Sequence, residues 1–210
     1  SFRGVTLAMQ EPYCSQTMLA SLHSTSKGVI GECGRRGGFC ELLNASDALR
    51  AAIVKLASIS LCSNVNGQVM TSLMLNPPQP GDASYESYQA EWNGLLDSLK
   101  KRAKHLVEEL NTIPGFSCNE TEGAMYAFPQ LTLSKKFTDH NTKLNTENGT
   151  TISPDARYCL ELLENTGVVV VPGSGFGQKD GTFHFRTTIL PPEDQMAYLT
   201  SALKKFHLEH

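Results

Sequence analysis

The segment Asn76-Pro77-Pro78-Gln79-Pro80-Gly81 sets the strongest limit on what this chain can fold into. Its prolines remove backbone donors and fix φ, so neither a helix nor the interior of a sheet passes through it, and the glycine completes the break. Apolar residues on its two sides must therefore be buried in separate elements. Upstream, Val65, Val69, Met70, Leu73, Met74 and Leu75 space as a helix that stops at the prolines. Downstream, Ser84 to Ile113 is polar on one side and apolar at Tyr88, Trp92, Leu95, Leu99, Leu106 and Leu110, and it stops at Pro114-Gly115. This reads as one long helix that leaves a first structural unit and enters a second. A chain of 210 residues with 40% hydrophobic side chains is long enough for one large or two small domains.

The remaining pattern follows from periodicity and caps. Residues 1–16 are a short helix or an irregular lead-in, and Thr17-Met18-Leu19-Ala20 reads as a buried strand. Phe39 to Leu43 predicts a second strand, with Asn44 or Ser46 as the cap of a helix over Asp47 to Ile59. In the second unit, Phe116 to Cys118 and Met125 to Phe128 read as strands joined by a turn at Glu122-Gly123. Ser134 to Thr151 is polar and without a period, which predicts an exposed excursion. Ser153-Pro154 opens a helix that Gly167 ends, Val168 to Val171 reads as a buried strand, Thr182 to Ile189 as another, and Pro192 to Phe206 as a closing helix.

Composition excludes several functions. A net charge of -3 offers no basic field for nucleic acid and no cationic stripe for a membrane surface. No apolar run reaches the roughly 18 residues needed to span a bilayer. The six cysteines, Cys14, Cys33, Cys40, Cys62, Cys118 and Cys159, lack metal-ligand spacing and read as reduced thiols of an intracellular protein, so no metal is expected. The sequence opens at Ser1 inside a polar stretch, as a processed, truncated or partial chain would, and Leu208-Glu209-His210 is set aside as helix end or tag.

Chemistry concentrates in Ser21-Leu22-His23-Ser24-Thr25-Ser26-Lys27-Gly28 and the following Gly31-Glu32-Cys33-Gly34-Arg35-Arg36-Gly37-Gly38. A lysine where a strand gives way to a loop, flanked by small hydroxyls and followed by arginines in a glycine-rich turn, suits a phosphorylated carbonyl cofactor. The amine forms a Schiff base, and hydroxyls with a guanidinium hold the phosphate. A solvated loop lysine is the plain alternative. His23, His184 and Cys33 have no partner at ligand or nucleophile spacing, and the glycines at Gly173 to Gly177 lack the Lys-Ser/Thr ending of a nucleotide loop.

Four stretches reach further together: the lysine stretch, Arg36-Gly37-Gly38, Gly123-Ala124-Met125-Tyr126-Ala127-Phe128-Pro129, and Val170-Val171-Pro172-Gly173-Ser174-Gly175-Phe176-Gly177 followed by Phe183-His184-Phe185-Arg186. In this order they resemble the second half of a fold type I, class I/II aminotransferase dependent on pyridoxal 5′-phosphate, and within that family the alanine aminotransferases. The resemblance implies an α/β fold: the end of the large cofactor domain over residues 1–80, a linking helix over 81–113 and a small C-terminal α+β domain over 114–210. It implies that Lys27 binds the cofactor aldehyde and moves the substrate α-proton, and that Ser24 and Ser26 stand beside the phosphate. Arg36 would clamp that phosphate, with the adjacent Arg35 as its rival, and Arg186 would grip the substrate α-carboxylate. Tyr126 fits core packing or a substrate wall.

The function so implied is amino transfer between L-alanine and 2-oxoglutarate, giving pyruvate and L-glutamate, by a homodimer of the cytoplasm or the mitochondrial matrix. An aminotransferase using glyoxylate, or a catalytically incomplete interaction or dimerisation module, is the alternative. The family's aspartate for the cofactor ring nitrogen, its phenolic-oxygen tyrosine and its stacking aromatic belong to a first half that these residues do not include. Activity is therefore expected of the complete protein, with this segment alone incomplete.

Overall fold

The computed structural model describes all residues, Ser1–His210, and the chain divides into two compact units, Ser1–Tyr85 and Glu86–His210. In the first, two short helices, α1 (Phe2–Ala8) and α2 (Tyr13–Gln16), lead into β1 (Leu19–Ser24). A long connection with a 3-10 turn at Cys33–Arg35 returns the chain as β2 (Gly38–Leu43), antiparallel to β1, with Leu19 opposite Leu43 and Ser24 opposite Gly38. The predicted strand at Thr17 to Ala20 therefore starts two residues later and runs on to Ser24. It is also not buried: its side chains are half-buried at best, because only one strand pairs with it and no apolar layer of this unit covers it.

α3 (Asp47–Ser58) and α4 (Val65–Leu75) complete the unit. Ser46 is the cap chosen for α3, its hydroxyl accepting the Leu49 N–H at 3.3 Å, while Asn64 caps α4. Asn44 does a different job, donating its amide to the carbonyls of Cys14 and Thr17 at 2.7 and 3.0 Å and so tying α2 to the hairpin. Only Thr6, Thr25 and Gly67 are buried in this unit.

The second unit holds the apolar core. α5 (Tyr85–Asn111) is the long helix the spacing predicts, and its last turns bury Ala103, Leu106, Val107 and Leu110 on one stripe. Arg102 secures it by donating to the carbonyls of Leu190 and Pro191 at 2.7 and 3.1 Å. Four short strands follow in chain order, β3 (Phe116–Ser117), β4 (Tyr126–Ala127), β5 (Gln130–Leu131) and, after two helices, β6 (Val171–Pro172). They assemble on the longest strand, β7 (Phe183–Thr188), with β5, β4 and β6 each pairing it antiparallel. β3 pairs β5 rather than β4, so the stretch at Glu122-Gly123 is not a hairpin turn. Pro129, which has no N–H for a ladder, separates β4 from β5.

Two further expectations are corrected. Ser134 to Thr151 is not an excursion but helix α6 (Lys135–Asn148), capped by the Ser134 hydroxyl and closed by Gly149 in the left-handed region. It shows no apolar period because amides hold it: Asn141 and Asn145 both donate to the Ile152 carbonyl, at 3.0 and 2.8 Å, and Phe137 alone among its apolar side chains is buried. Val168 to Val171 is likewise not a buried strand. Val168 and Val170 are buried, Val169 and Val171 are exposed, and only Val171 pairs. α7 (Pro154–Thr166) and α8 (Glu193–Glu209) pack on the sheet and enclose Tyr158, Leu162, Phe185, Met196, Leu203 and Phe206.

Candidate active site

The hairpin connection of the first unit carries four of the predicted site residues. Thr25 organises it: fully buried, it donates from its N–H and its hydroxyl to the Gly37 carbonyl at 3.1 and 3.2 Å, and its own carbonyl accepts the Glu32 N–H at 2.8 Å. One residue, by its backbone and its hydroxyl, thus closes the loop across its whole length. Ser24 ends β1 and accepts the Ser26 N–H at 3.3 Å, and Lys27 follows at the bend, exposed and with neither hydrogen bond nor ion pair. Ser24, Ser26 and Lys27 therefore stand together at the strand end, as the sequence predicts.

The two arginines are distinguished by what they touch. Arg35 faces Glu32 across 3.6 Å, and its carbonyl accepts the Asn64 amide at 2.7 Å, so both its ends serve the loop. Arg36 has no carboxylate partner and donates from Nη1 to the Cys33 carbonyl at 3.1 Å, which leaves most of its guanidinium donors available. Its backbone is left-handed, φ 55°, a conformation that costs a non-glycine residue about 1 kcal/mol or more and gathers at functional sites. Close packing enforces it. A Cβ on Gly67 would lie 2.6 Å from the Arg36 carbonyl oxygen, and one on Gly37 would lie 2.5 Å from that of Gly67. Backbone meets backbone here, so α4 is the wall against which the arginine turn is set, a role no motif announces.

Arg186 lies in the second unit, on β7. Its guanidinium carbon sits 4.4 Å from the centroid of the Tyr126 ring and 4.9 Å from that of Phe176. No carboxylate pairs with it and its side chain makes no hydrogen bond within the chain. Aromatic faces hold the cation without using its N–H fork, so the fork is free for a planar anion. Tyr126 is thus half-buried, beside the arginine and packed against the edge of the core. Phe176 stands inside a motif already quoted, yet nothing in its linear position reveals the arginine ten residues on.

Neither His23, His184 nor Cys33 joins a metal set, and no group of three or more His, Cys, Asp or Glu residues is placed to hold a metal ion. His184 stacks on Phe128 at 4.9 Å with the rings 5° from parallel, and His23 packs edge-on against Phe39. No helix is long and apolar enough to cross a membrane.

Comparison with known proteins identifies the family. The family profile of aminotransferase class I and II matches residues 3–203. The chain is 50% identical over 189 residues to alanine aminotransferase 2, mitochondrial, of Arabidopsis thaliana, covering 90% of this chain and 34% of that protein. It is 45% identical over 207 residues to alanine aminotransferase 1 of Homo sapiens, covering 99% and 40%. Among solved structures, the alanine aminotransferase from Pyrococcus furiosus superposes with a TM-score of 0.72 at 28% identity, over 93% of this chain and 43% of that one. The chain thus spans between a third and two fifths of the length of these two curated relatives. Its α/β architecture is that of a fold type I transferase, and by profile, by identity and by superposition the chain belongs to the class I and II aminotransferases.

Proposed function

We propose that the polypeptide carrying these residues transfers an amino group between L-alanine and 2-oxoglutarate, producing pyruvate and L-glutamate, with pyridoxal 5′-phosphate as cofactor. The observation that carries the reading is Arg186, a half-buried guanidinium held by two aromatic rings with its donor fork unpaired. Amino acids and 2-oxo acids share one α-carboxylate, and a bidentate guanidinium is the side chain that fixes its plane. The alanine assignment rests on relatives that bear that name at 45–50% identity.

The donor set of the first unit fits the cofactor at both of its ends. Lys27 has a free amine for the aldehyde, while the hydroxyls of Ser24 and Ser26 and the guanidinium of Arg36 suit the phosphate dianion. When bound, the cofactor supplies a carbonyl that condenses with amines and an electron-withdrawing ring. Lys27 Nζ would take the proton from the substrate α-carbon and deliver it to the carbon that had been the cofactor aldehyde. Arg186 orients the substrate for that transfer by holding its carboxylate. In this reading residues 1–80 finish the cofactor domain, 81–113 link it to the small domain, and 114–210 form that domain. The assembly is a homodimer in the cytoplasm or the mitochondrial matrix; relatives are named both with and without the mitochondrial label.

The test is borohydride reduction of the full-length protein loaded with pyridoxal phosphate, followed by peptide mapping, and initial rates with pyruvate against glyoxylate. A single adduct on Lys27, absent in Lys27→Ala, with pyruvate preferred, is the expected result. Label scattered over surface lysines would overturn the cofactor assignment, and a strong preference for glyoxylate would overturn the substrate.

A further inference from the structure

Asp155 is a buried carboxylate that neither the cofactor nor the substrate reading uses. It stands in the first turn of α7 with 1% of its surface exposed. Its Oδ2 accepts the Ser174 N–H at 2.6 Å and the Gln178 amide Nε2 at 3.2 Å, while Oδ1 is buried without a partner. A carboxylate in the first turn suits the positive end of the helix dipole, and that is its ordinary use. Its partners show a different use. Ser174 belongs to the turn Gly173–Phe176, and the last residue of that turn is the ring that lies over Arg186.

Gln178 extends the same connection to β7. Its Oε1 lies 3.1 Å from His184 Nδ1, and His184 and Arg186, two residues apart, share one face of the strand. The polarity of this chain is forced. A carboxylate only accepts, so the Gln178 amine must face Asp155, its carbonyl must face His184, and Nδ1 of His184 must carry the proton. His184 then stacks on Phe128, and Phe128 meets Phe176 edge-on at 5.6 Å, which closes the circuit at the arginine. The turn has no slack against the strand, since a Cβ on Gly173 would lie 2.3 Å from Gln178 Oε1 and 2.7 Å from His184 Cβ.

We infer that Asp155 is a positioning residue for substrate binding: through the Gly173–Phe176 turn and Gln178 it sets Phe176 and the Nδ1-protonated tautomer of His184, and so holds the Arg186 fork in line for a carboxylate. This rests on the reading of Arg186 as the carboxylate site. The charge matters beyond the shape: an amide that keeps its oxygen toward Ser174 and Gln178 weakens two charge-assisted hydrogen bonds at once and puts an N–H₂ where Oδ1 has no partner.

The experiment compares Asp155→Asn, Gln178→Met, Phe176→Ala and Arg186→Ala in the full-length, cofactor-loaded protein. Asp155→Asn is expected to raise KM for L-alanine about tenfold with kcat changed less than about threefold, as replacing two charge-assisted hydrogen bonds by neutral ones would. Nitrogen-15 shifts of His184 should move from a single tautomer to a mixture. Combining Asp155→Asn with Phe176→Ala should raise KM little beyond Phe176→Ala alone, because both act through one ring. Should Asp155→Asn fail to fold, Gln178→Met carries the same expectation, since methionine keeps the volume and removes both hydrogen bonds. If Arg186→Ala raises KM while Asp155→Asn or Gln178→Met leaves KM and the His184 signals unchanged, the positioning role is overturned and the carboxylate site stands. If Arg186→Ala itself leaves KM unchanged, the underlying reading falls with it.

Discussion

The helices of Ser1–Tyr85 and those of Glu86–His210 are equally regular, yet they differ in what they bury. In the first unit α3 is well capped and amphipathic, but Leu56, Ile59 and Leu61 at its end are 67%, 77% and 89% exposed, and α4 exposes Val65 and Leu73. In the second, Leu106, Leu110, Leu162, Phe185 and Leu203 are fully enclosed, and Tyr158 packs among the rings of Phe137, Phe185 and Phe206. Burial of each such side chain contributes about 1.5–3 kcal/mol, so the second unit has a core and the first has only the material for one. The relatives are two to three times longer, and their additional length is chain of the kind that such apolar faces need as cover. The site residues follow the same division. Lys27 is exposed on a loop, whereas Arg186 is seated on a strand whose other face is core.

The largest expected effect breaks the two units apart. Residues 86–210 expressed alone should melt in one cooperative transition followed by circular dichroism, and residues 1–85 alone should show none. A cooperative melt of 1–85 would end the comparison. Next in size are single truncations within the 210-residue chain, read by urea unfolding. Leu162→Ala should destabilise by about 3–5 kcal/mol, through lost burial and the cavity left behind, and Leu56→Ala by less than about 0.5 kcal/mol. In the full-length protein Leu56→Ala should instead cost about 2–4 kcal/mol, and failure to see that rise would mean that this face stays open.

The smallest effect is a pH dependence confined to the second unit. His207 stacks on Phe116 at 4.5 Å and contacts the Tyr158 hydroxyl at 3.3 Å. Burial lowers its pKa from the ordinary 6.5; the Pro114 carbonyl works against that shift and the charge of His210 works with it. A histidine kept neutral by folding contributes full stability above about pH 6.5 and loses it as pH falls through the depressed folded value. The urea midpoint of residues 86–210 should therefore drop between pH 7.5 and 5.5, and His207→Phe should flatten that drop. An unchanged slope in the variant would assign the dependence to another group.

Local signals were legible wherever one residue type has one job. The prolines at 77–80 end α4, Ser46 starts α3, Gly167 ends α7 in the left-handed region, and the lysine with its serines falls at the end of β1. Periodicity failed where polar groups hold an element. α6 is anchored by Asn141 and Asn145 on a single carbonyl, and an amide that replaces an apolar contact leaves no trace in a hydrophobic pattern. It also overstated burial for β1 and for Val168 to Val171, because an apolar run announces that a surface needs cover without saying whether the cover lies in the same unit.

By itself, then, the sequence determined most of the helices and their caps, the break at Asn76–Gly81, the α/β class and the family, together with the residue types able to hold an amine-reactive, phosphorylated cofactor and a carboxylate. These rest on short-range chemistry: caps, fixed φ, spacing within one element, and runs of residues read in order. Tertiary structure alone decided that Arg35 pairs with Glu32 while Arg36 stays available, that Gly67 of a distant helix sets the arginine turn, and that Phe176 and Tyr126 flank Arg186. It also placed Asp155 against a turn that begins eighteen residues later. Such contacts join residues far apart in the chain, and their energies depend on which surfaces meet in space, which no local pattern encodes.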